Sequence, residues 1–364
     1  MISYRQELFE KLNEYRGRKL YLYGASDIGN AAYQLFSYYG LDIAGYLVTE
    51  GSGQLNGLPV QSIESVDLQD IRNGKVILTL SHNYYGEVKE LLHSKEIYDI
   101  DDSFDMTKDY FYSEIYSDIL KKHNIDTNQK ILTLGNVKLP NPFIYQQMSP
   151  FWAEFGDILL PCLFQDQRFI CEGMYEYNLV KLESDDIVLD CGANIGLFSS
   201  YAASQNCSVY AFEPLVEQLG NILNMCSRLN SNRICHIPYA LSDHEGSAEF
   251  NISHSTENSS LLSGVLSKYK KKILENVVNV NITTVDSFVQ SNNLSRVDFI
   301  KADIEGSERQ MLKGATQVLR EFAPKLAICT YHYPDDPQVL EGIIKAANPQ
   351  YKVIHKWKKL FAYV

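Results

Sequence analysis

The segment IVLDCGANIGLFSSYAA, residues 187–203, constrains this chain more than any other. An apolar run ends in Asp190, a turn carrying Gly192 and Gly196 comes next, and a helix begins at once. A strand apolar on both faces that passes through a tight glycine turn into a helix belongs to a parallel sheet covered by helices. The same strand-then-helix order recurs in VYAFEP with LVEQLGNILNMCSRLN, in VDFIKADIEG with SERQMLKGATQVLREF, and in KLAICTYH with DDPQVLEGIIKAA. The fold class is therefore α/β. ICHIPYAL reads as one more strand, SAEFNIS and NVVNVNITTVD as antiparallel or edge strands, and YKVIHKW with LFAYV as a closing hairpin.

The first 125 residues carry a smaller version of the same alternation. Ile2–Tyr15 reads as a helix, KLYLYGASDIGNAAYQLFSYYG as strand, glycine turn and helix, and LDIAGYLVT as a second strand. The polar stretch EGSGQLNG reads as a turn, before the strand KVILTLS and the helix YYGEVKELLHSKEI. Residues 126–170, rich in proline and aromatics and without a period, read as an ordered connector, with Phe151, Trp152 and Phe155 packing on the larger C-terminal domain. The expected division is a Rossmann-like accessory domain over 1–125, the connector over 126–170, and a ligand-binding domain over 171–364.

Composition excludes several classes of function. The chain of 364 residues has a net charge of −12, which opposes non-specific binding to nucleic acid or anionic lipid. Its 7 cysteines are odd in number, irregularly spaced and without a CxxC pair, so reduced thiols are expected, with neither a disulfide framework nor structural zinc. The opening residues lack the apolar core of a signal peptide, and no stretch reaches the roughly 18 apolar residues of a membrane span. A cytoplasmic protein with no membrane span is expected.

Two acidic residues point to the ligand. Asp190 stands at the turn after the first strand of the large half, where a carboxylate repels pyrophosphate but pairs with an amine-bearing ligand. The turn is expected to leave free amide N–H groups at the helix start. Glu213 comes 23 residues later at the end of VYAFEP, where an acid accepts hydrogen bonds from both ribose hydroxyls. Taken singly, Asp190 is a helix cap and Glu213 a solvated strand end. Taken together they favour S-adenosylmethionine over a dinucleotide.

LDCGANIGLFS, VYAFEP, YALSDHEGSAEF, NSSLL, TTVDSFVQSNNLSRVDFIKADIEGSERQMLKGA and YHYPDD resemble, in order, the motifs of FkbM-type S-adenosylmethionine-dependent methyltransferases. EGMYEYNLVKLESDD resembles the segment leading into the first of them. The resemblance covers about 171–364. It implies a class I methyltransferase fold, with a seven-stranded sheet whose last strand is antiparallel, and O-methylation of a sugar, glycan or related polyhydroxylated acceptor. The donor-binding set is then Asp190, Gly192, Ala193, Asn194, Gly196, Phe198, Glu213, Pro214, Leu241 and Asp243, the last two near the adenine. HIPYALSD departs from the pattern, with Pro238 and Tyr239 where an Asn often precedes the Ala. The loop at Ser259 and Ser260 is implied to shape the acceptor pocket.

Asp303, Glu305 and His332 lie just past the tips of later parallel strands and are the expected catalytic residues. Methylating a hydroxyl requires removal of its proton, and His332 is the expected base, with Tyr331 and Asp335 orienting it. No metal is expected, and Mg²⁺ at Asp303 and Glu305 has no support in the spacing. The basic run HKWKK at 355–359 reads as a solvated strand, or as steering for a nucleotide-sugar or lipid-linked acceptor. The N-terminal YGASDIG keeps only Gly24 and Gly29 of a dinucleotide fingerprint, with Ser26 in the middle position. Its domain resembles the small Rossmann-like domains of sugar-modifying proteins. Two rivals remain, an NAD(P)-dependent sugar oxidoreductase or epimerase and a non-catalytic nucleotide-binding scaffold.

Overall fold

The computed structural model describes residues 2–142, 151, 154–252, 260–261 and 276–364. The chain divides into two compact units, residues 1–124 and 125–364. Among the described residues no helix is long and apolar enough to cross a membrane.

The N-terminal unit is built on six strands: β1 (Leu20–Tyr23), β2 (Ile43–Val48), β3 (Gly53–Leu55), β4 (Leu58–Ser62), β5 (Lys75–Leu78) and β6 (Ile100–Asp101). Their order in the sheet is β3-β4-β2-β1-β5-β6, and every neighbouring pair is parallel except β3–β4. β1 and β5 are buried along their whole length, in keeping with their largely apolar sequences. The stretch read as a polar turn contains β3 and the turn of the β3–β4 hairpin. A long helix, Phe104–Lys122, escaped the sequence reading, although its buried Phe111, Ile115 and Ile119 recur every four residues. Gly24 has φ of 122°, and a Cβ there would stand 2.4 Å from the Thr79 carbonyl oxygen. That glycine is therefore explained by the close passage of the chain leaving β5.

The second unit opens with a hairpin, β7 (Ile131–Leu134) and β8 (Val137–Pro140). A π-helical turn, Phe155–Leu159, and a short helix, Leu160–Phe164, come next. Phe151 and Phe155 are buried and stack at 4.8 Å, and the π-helical turn packs on the helix Leu197–Ser204. Trp152 and Ser259 lie outside the described residues.

The large sheet contains β9 (Ile187–Cys191), β10 (Ser208–Phe212), β11 (Ile234–Ile237), β16 (Phe299–Ala302), β17 (Lys325–Cys329), β18 (Lys352–Lys356) and β19 (Lys359–Tyr363), in the order β11-β10-β9-β16-β17-β19-β18. β19 runs antiparallel to both of its neighbours, and the other pairs are parallel. This is the expected class I methyltransferase sheet. Four further strands, β12 (Ala240–Leu241), β13 (Gly246–Ile252), β14 (Ser260–Leu261) and β15 (Asn276–Thr283), form a small sheet of their own. ICHIPYAL is thus two strands in two sheets, parted at Pro238, which has no N–H to continue a ladder. The segment read as one helix over 307–322 is two, Glu308–Lys313 and Thr316–Glu321. They part at Gly314, where a Cβ would stand 2.2 Å from the Ser242 carbonyl oxygen. The core of this unit joins Leu189, Phe212, Ile300, Met311, Ile328 and Leu360 across the sheet and its helices.

Candidate active site

The first element of the site is the turn between β9 and the helix Leu197–Ser204. Gly192 has φ of 82°, and a Cβ there would collide with the Asp303 carbonyl oxygen at 1.9 Å. Gly196, with φ of 79°, caps the helix and has Leu223 at 2.9 Å from the place of a Cβ. Both residues are glycines for φ and for space. Four amides of this turn already have acceptors. Gly192 and Ala193 donate to the Phe212 carbonyl at 3.1 and 2.9 Å, Asn194 donates to Glu213 Oε2 at 3.1 Å, and Gly196 donates to the Ala193 carbonyl at 2.7 Å. A pyrophosphate needs such N–H groups unspent. A nucleoside without phosphate does not.

Asp190 also departs from expectation. It is fully buried, its Oδ2 accepts from Ser199 Oγ at 2.6 Å, and its Oδ1 lies 3.1 Å from Lys301 Nζ. Lys301 stands opposite Asp190 in the β9–β16 register and donates to the Gly192 carbonyl at 2.7 Å. The charge of Asp190 is therefore already paired inside the protein. Its work is to tie two strand tips to the glycine turn.

Glu213 directly succeeds β10 and is buried. One carboxylate oxygen accepts from Asn194 N and the other from Leu215 N at 3.0 Å, which leaves each oxygen a further lone pair. That acceptor set fits a ribose diol. Burial pushes its carboxyl up to about 7 against the pull of those two amides. Ribose hydroxyls donate to the ionised form, so the empty site must shed a proton to bind a nucleoside. Donor affinity is expected to rise by up to about tenfold per pH unit up to pH 7 and to level off above it. Calorimetric titrations across that range check this, and a flat profile would show that Glu213 takes no part.

Several members of the expected donor set have other contacts. Phe198 is a core residue, packed on Tyr175 and Phe299 at ring distances of 5.4 and 6.1 Å. Leu241 is buried in the core of the unit. Asp243 is exposed and pairs with His244 Nδ1 at 2.8 Å. Pro214 directs the chain out of β10, its carbonyl accepting from Val216 N at 2.9 Å.

The second element lies beyond β16 and β17. Asp303 accepts from Tyr175 Oη at 2.8 Å and from Tyr331 Oη at 3.0 Å. Burial works against its ionisation, but Lys301 and His332 hold its carboxyl down to about 2. His332 has Glu308 at 3.3 Å from Nδ1, and Glu305 and Asp303 at 3.7 and 3.9 Å from Nε2. Burial favours a neutral ring, yet the carboxylate of Glu308, with those of Glu305 and Asp303, pushes His332 up to about 11. With no cation beside it, a ring so placed holds its proton near neutral pH, which does not favour the expected role as the base. Asp335 does not orient it either, because Asp335 pairs with Arg309 at 2.6 Å. Tyr331 does lie against it, with ring centroids 4.2 Å apart.

Sequence reasoning missed Tyr175, Lys301, Glu308 and Lys359. Lys359, within the run read as a solvated strand, is 1% exposed, with Nζ 4.3 Å from the Tyr175 ring centre. Glu172, partly exposed beside Lys358, is pushed up to about 7 by burial and by the charge of Asp303. A lysine inside the apolar strand FIKA was the one signal that could have revealed the buried pair. No disulfide joins any of the seven cysteines, all of which lie among the described residues.

Residues 190–353 match the family described as the Methyltransferase FkbM domain. Those residues are similar to an FkbM methyltransferase domain. Methyl transfer is the chemistry of such a domain, with S-adenosylmethionine as the donor. The hexuronic acid methyltransferase AglP of Haloferax volcanii is 25% identical over 170 residues, covering 47% of this chain and 66% of that protein, just under two thirds of its length. Among solved structures, the methyltransferase FkbM of Methylobacillus flagellatus aligns over 98% of this chain and 93% of its own, at a TM-score of 0.41 and 17% identity. The fibrillarin pre-rRNA processing protein of Methanococcus jannaschii aligns over 65% of this chain and 82% of its own, at a TM-score of 0.34 and 15% identity.

Proposed function

We propose that this protein transfers a methyl group from S-adenosylmethionine to an oxygen of a sugar or glycan. The observation that carries the donor half of this reading is the pairing of Glu213, with one spare lone pair on each carboxylate oxygen, with a glycine turn whose Gly192, Ala193, Asn194 and Gly196 amides are already spent. That combination suits a ribose, and the match to a methyltransferase domain favours S-adenosylmethionine over the NAD(P) rival. The match to a hexuronic acid methyltransferase supports the acceptor class, and a uronic acid is the first acceptor to try.

S-adenosylmethionine, when bound, supplies an electrophilic methyl group on a sulfonium. Glu213 holds the ribose, and the Gly192 turn sets the depth at which the nucleoside lies. Asp303 has its side chain fixed by two tyrosine hydroxyls and its carbonyl packed against Gly192, and it marks the acceptor side of the same strand tips. With the donor bound, the residues at these strand tips would align an acceptor oxygen with its methyl group, and that alignment is the main contribution of such a site. The hydroxyl proton passes to a carboxylate at these strand tips or to solvent. Incubation with donor and a panel of uronic acids and neutral sugars, read by mass spectrometry, tests the reading. A gain of one methyl group on a sugar supports it, and methyl gain only on a non-sugar acceptor refutes the acceptor class.

The N-terminal unit is proposed as an accessory domain. Glu213, the glycine turn and Asp303 all lie within 125–364. A fragment of those residues is expected to bind donor with the affinity of the whole chain, by calorimetry, while residues 1–124 show none. A folded 125–364 fragment without donor affinity would assign part of the donor site to the N-terminal unit.

A further inference from the structure

We infer that Asp303, Glu305 and His332 form a site for one divalent cation at the acceptor side of the strand tips, and that this cation chelates two neighbouring oxygens of the acceptor. The role given to the cation rests on the sugar-methyltransferase reading; the site itself rests on geometry. One ligand atom from each of the three residues lies within 4.8 Å of the other two. His332 Nε2 stands 3.7 Å from Glu305 and 3.9 Å from Asp303. A charge-assisted hydrogen bond would bring these atoms to about 2.7–2.9 Å. A cation bonded at about 2.1 Å instead separates its ligands by about 3–4.2 Å, which brackets the observed spacings.

The imidazole supplies the second observation. Its side chain is 5% exposed, and neither ring nitrogen makes a hydrogen bond. Nε2 faces Asp303 and Glu305, and Nδ1 faces the buried Glu308 at 3.3 Å. Glu308 is itself fixed by accepting from Ile304 N at 2.8 Å. A carboxylate behind one ring nitrogen and a cation in front of the other is the usual surrounding of a metal-bound histidine. Tyr175 and Tyr331 fix Asp303 in the same way. Asp303 and Glu305 are each 21% exposed, so solvent and a substrate reach the open face of the cluster. Three protein ligands leave about three positions on a six-coordinate ion, enough for two acceptor oxygens. Two carboxylates and one imidazole favour Mn²⁺ over Mg²⁺.

The test uses the full chain and Mn²⁺ itself. Calorimetry is expected to show one Mn²⁺ per chain, and pulsed EPR of the bound ion to show nitrogen coupling. His332→Gln is expected to abolish that coupling. Glu305→Gln, a milder change at a partly exposed side chain, is expected to weaken Mn²⁺ binding at least tenfold. Donor titration of both variants reports that they remain folded and leaves the methyltransferase reading separately tested, because the donor site lies at Glu213. Wild-type protein that binds donor but takes up no Mn²⁺ would overturn the inference and identify the cluster as a purely internal ion network. Bound Mn²⁺ with no nitrogen coupling, or affinity unchanged in Glu305→Gln, would equally overturn it.

Discussion

Lys301→Ala is expected to destabilise the catalytic unit by about 3–5 kcal/mol, the usual cost of removing one partner of a buried ion pair. Lys301 is 1% exposed, its ammonium is shared between Asp190 and the Gly192 carbonyl, and Asp190 has no access to water. Removing the cation leaves a buried carboxylate next to the neighbouring charge of Asp303. Asp190→Asn in the same chain removes that stranded charge, so the double variant is expected to recover part of the loss. Urea unfolding of the single and double variants measures both effects. A single variant that unfolds at the wild-type urea concentration would show that this pair does not hold the strand tips together.

Asp303→Asn is expected to cut turnover by about 10²–10³ while leaving donor affinity within about twofold of wild type. The carboxylate takes one hydroxyl bond on each oxygen, from Tyr175 and Tyr331, and stays ionised at any working pH because its carboxyl is held down to about 2. An asparagine keeps the size but turns an amide NH₂ toward one of the two tyrosine donors. The negative charge at the acceptor side is lost and the tyrosines lose their fixed positions. Comparing kcat with the calorimetric donor affinity separates the possibilities. If donor affinity falls in step with turnover, Asp303 faces the amine of the donor and not the acceptor.

The large sheet was legible because its strands are apolar on both faces and most are succeeded by a helix with a clear start, features that depend on local sequence alone. The proposed donor-side acid was legible for the same reason: Glu213 sits at the end of a short strand, and strand ends are where ligands meet such sheets. Elsewhere the reading failed where the cause is tertiary. Asp190 looked available because nothing nearby in sequence reveals that Lys301, more than a hundred residues later, lies beside it in the register. The carboxylates around His332 were hidden because Glu308 and Glu305 approach it from a different part of the chain. The β3–β4 hairpin was hidden by its glycine-rich composition, and the break at Gly314 by a helical pattern that runs straight across it. Lys301 and Lys359 are the instructive misses, since a lysine within an apolar strand is a local signal of a buried partner.

The most direct test of the donor assignment is a calorimetric titration of S-adenosylmethionine and of NAD(H) into wild-type protein and Glu213→Gln. S-adenosylmethionine is expected to bind wild type without competition from NAD(H). The glutamine variant is expected to bind the donor more weakly by about 1–3 kcal/mol, the loss of a charged acceptor for two ribose hydroxyls. Equal affinity of the two proteins for S-adenosylmethionine, or displacement of that donor by NAD(H), would contradict it.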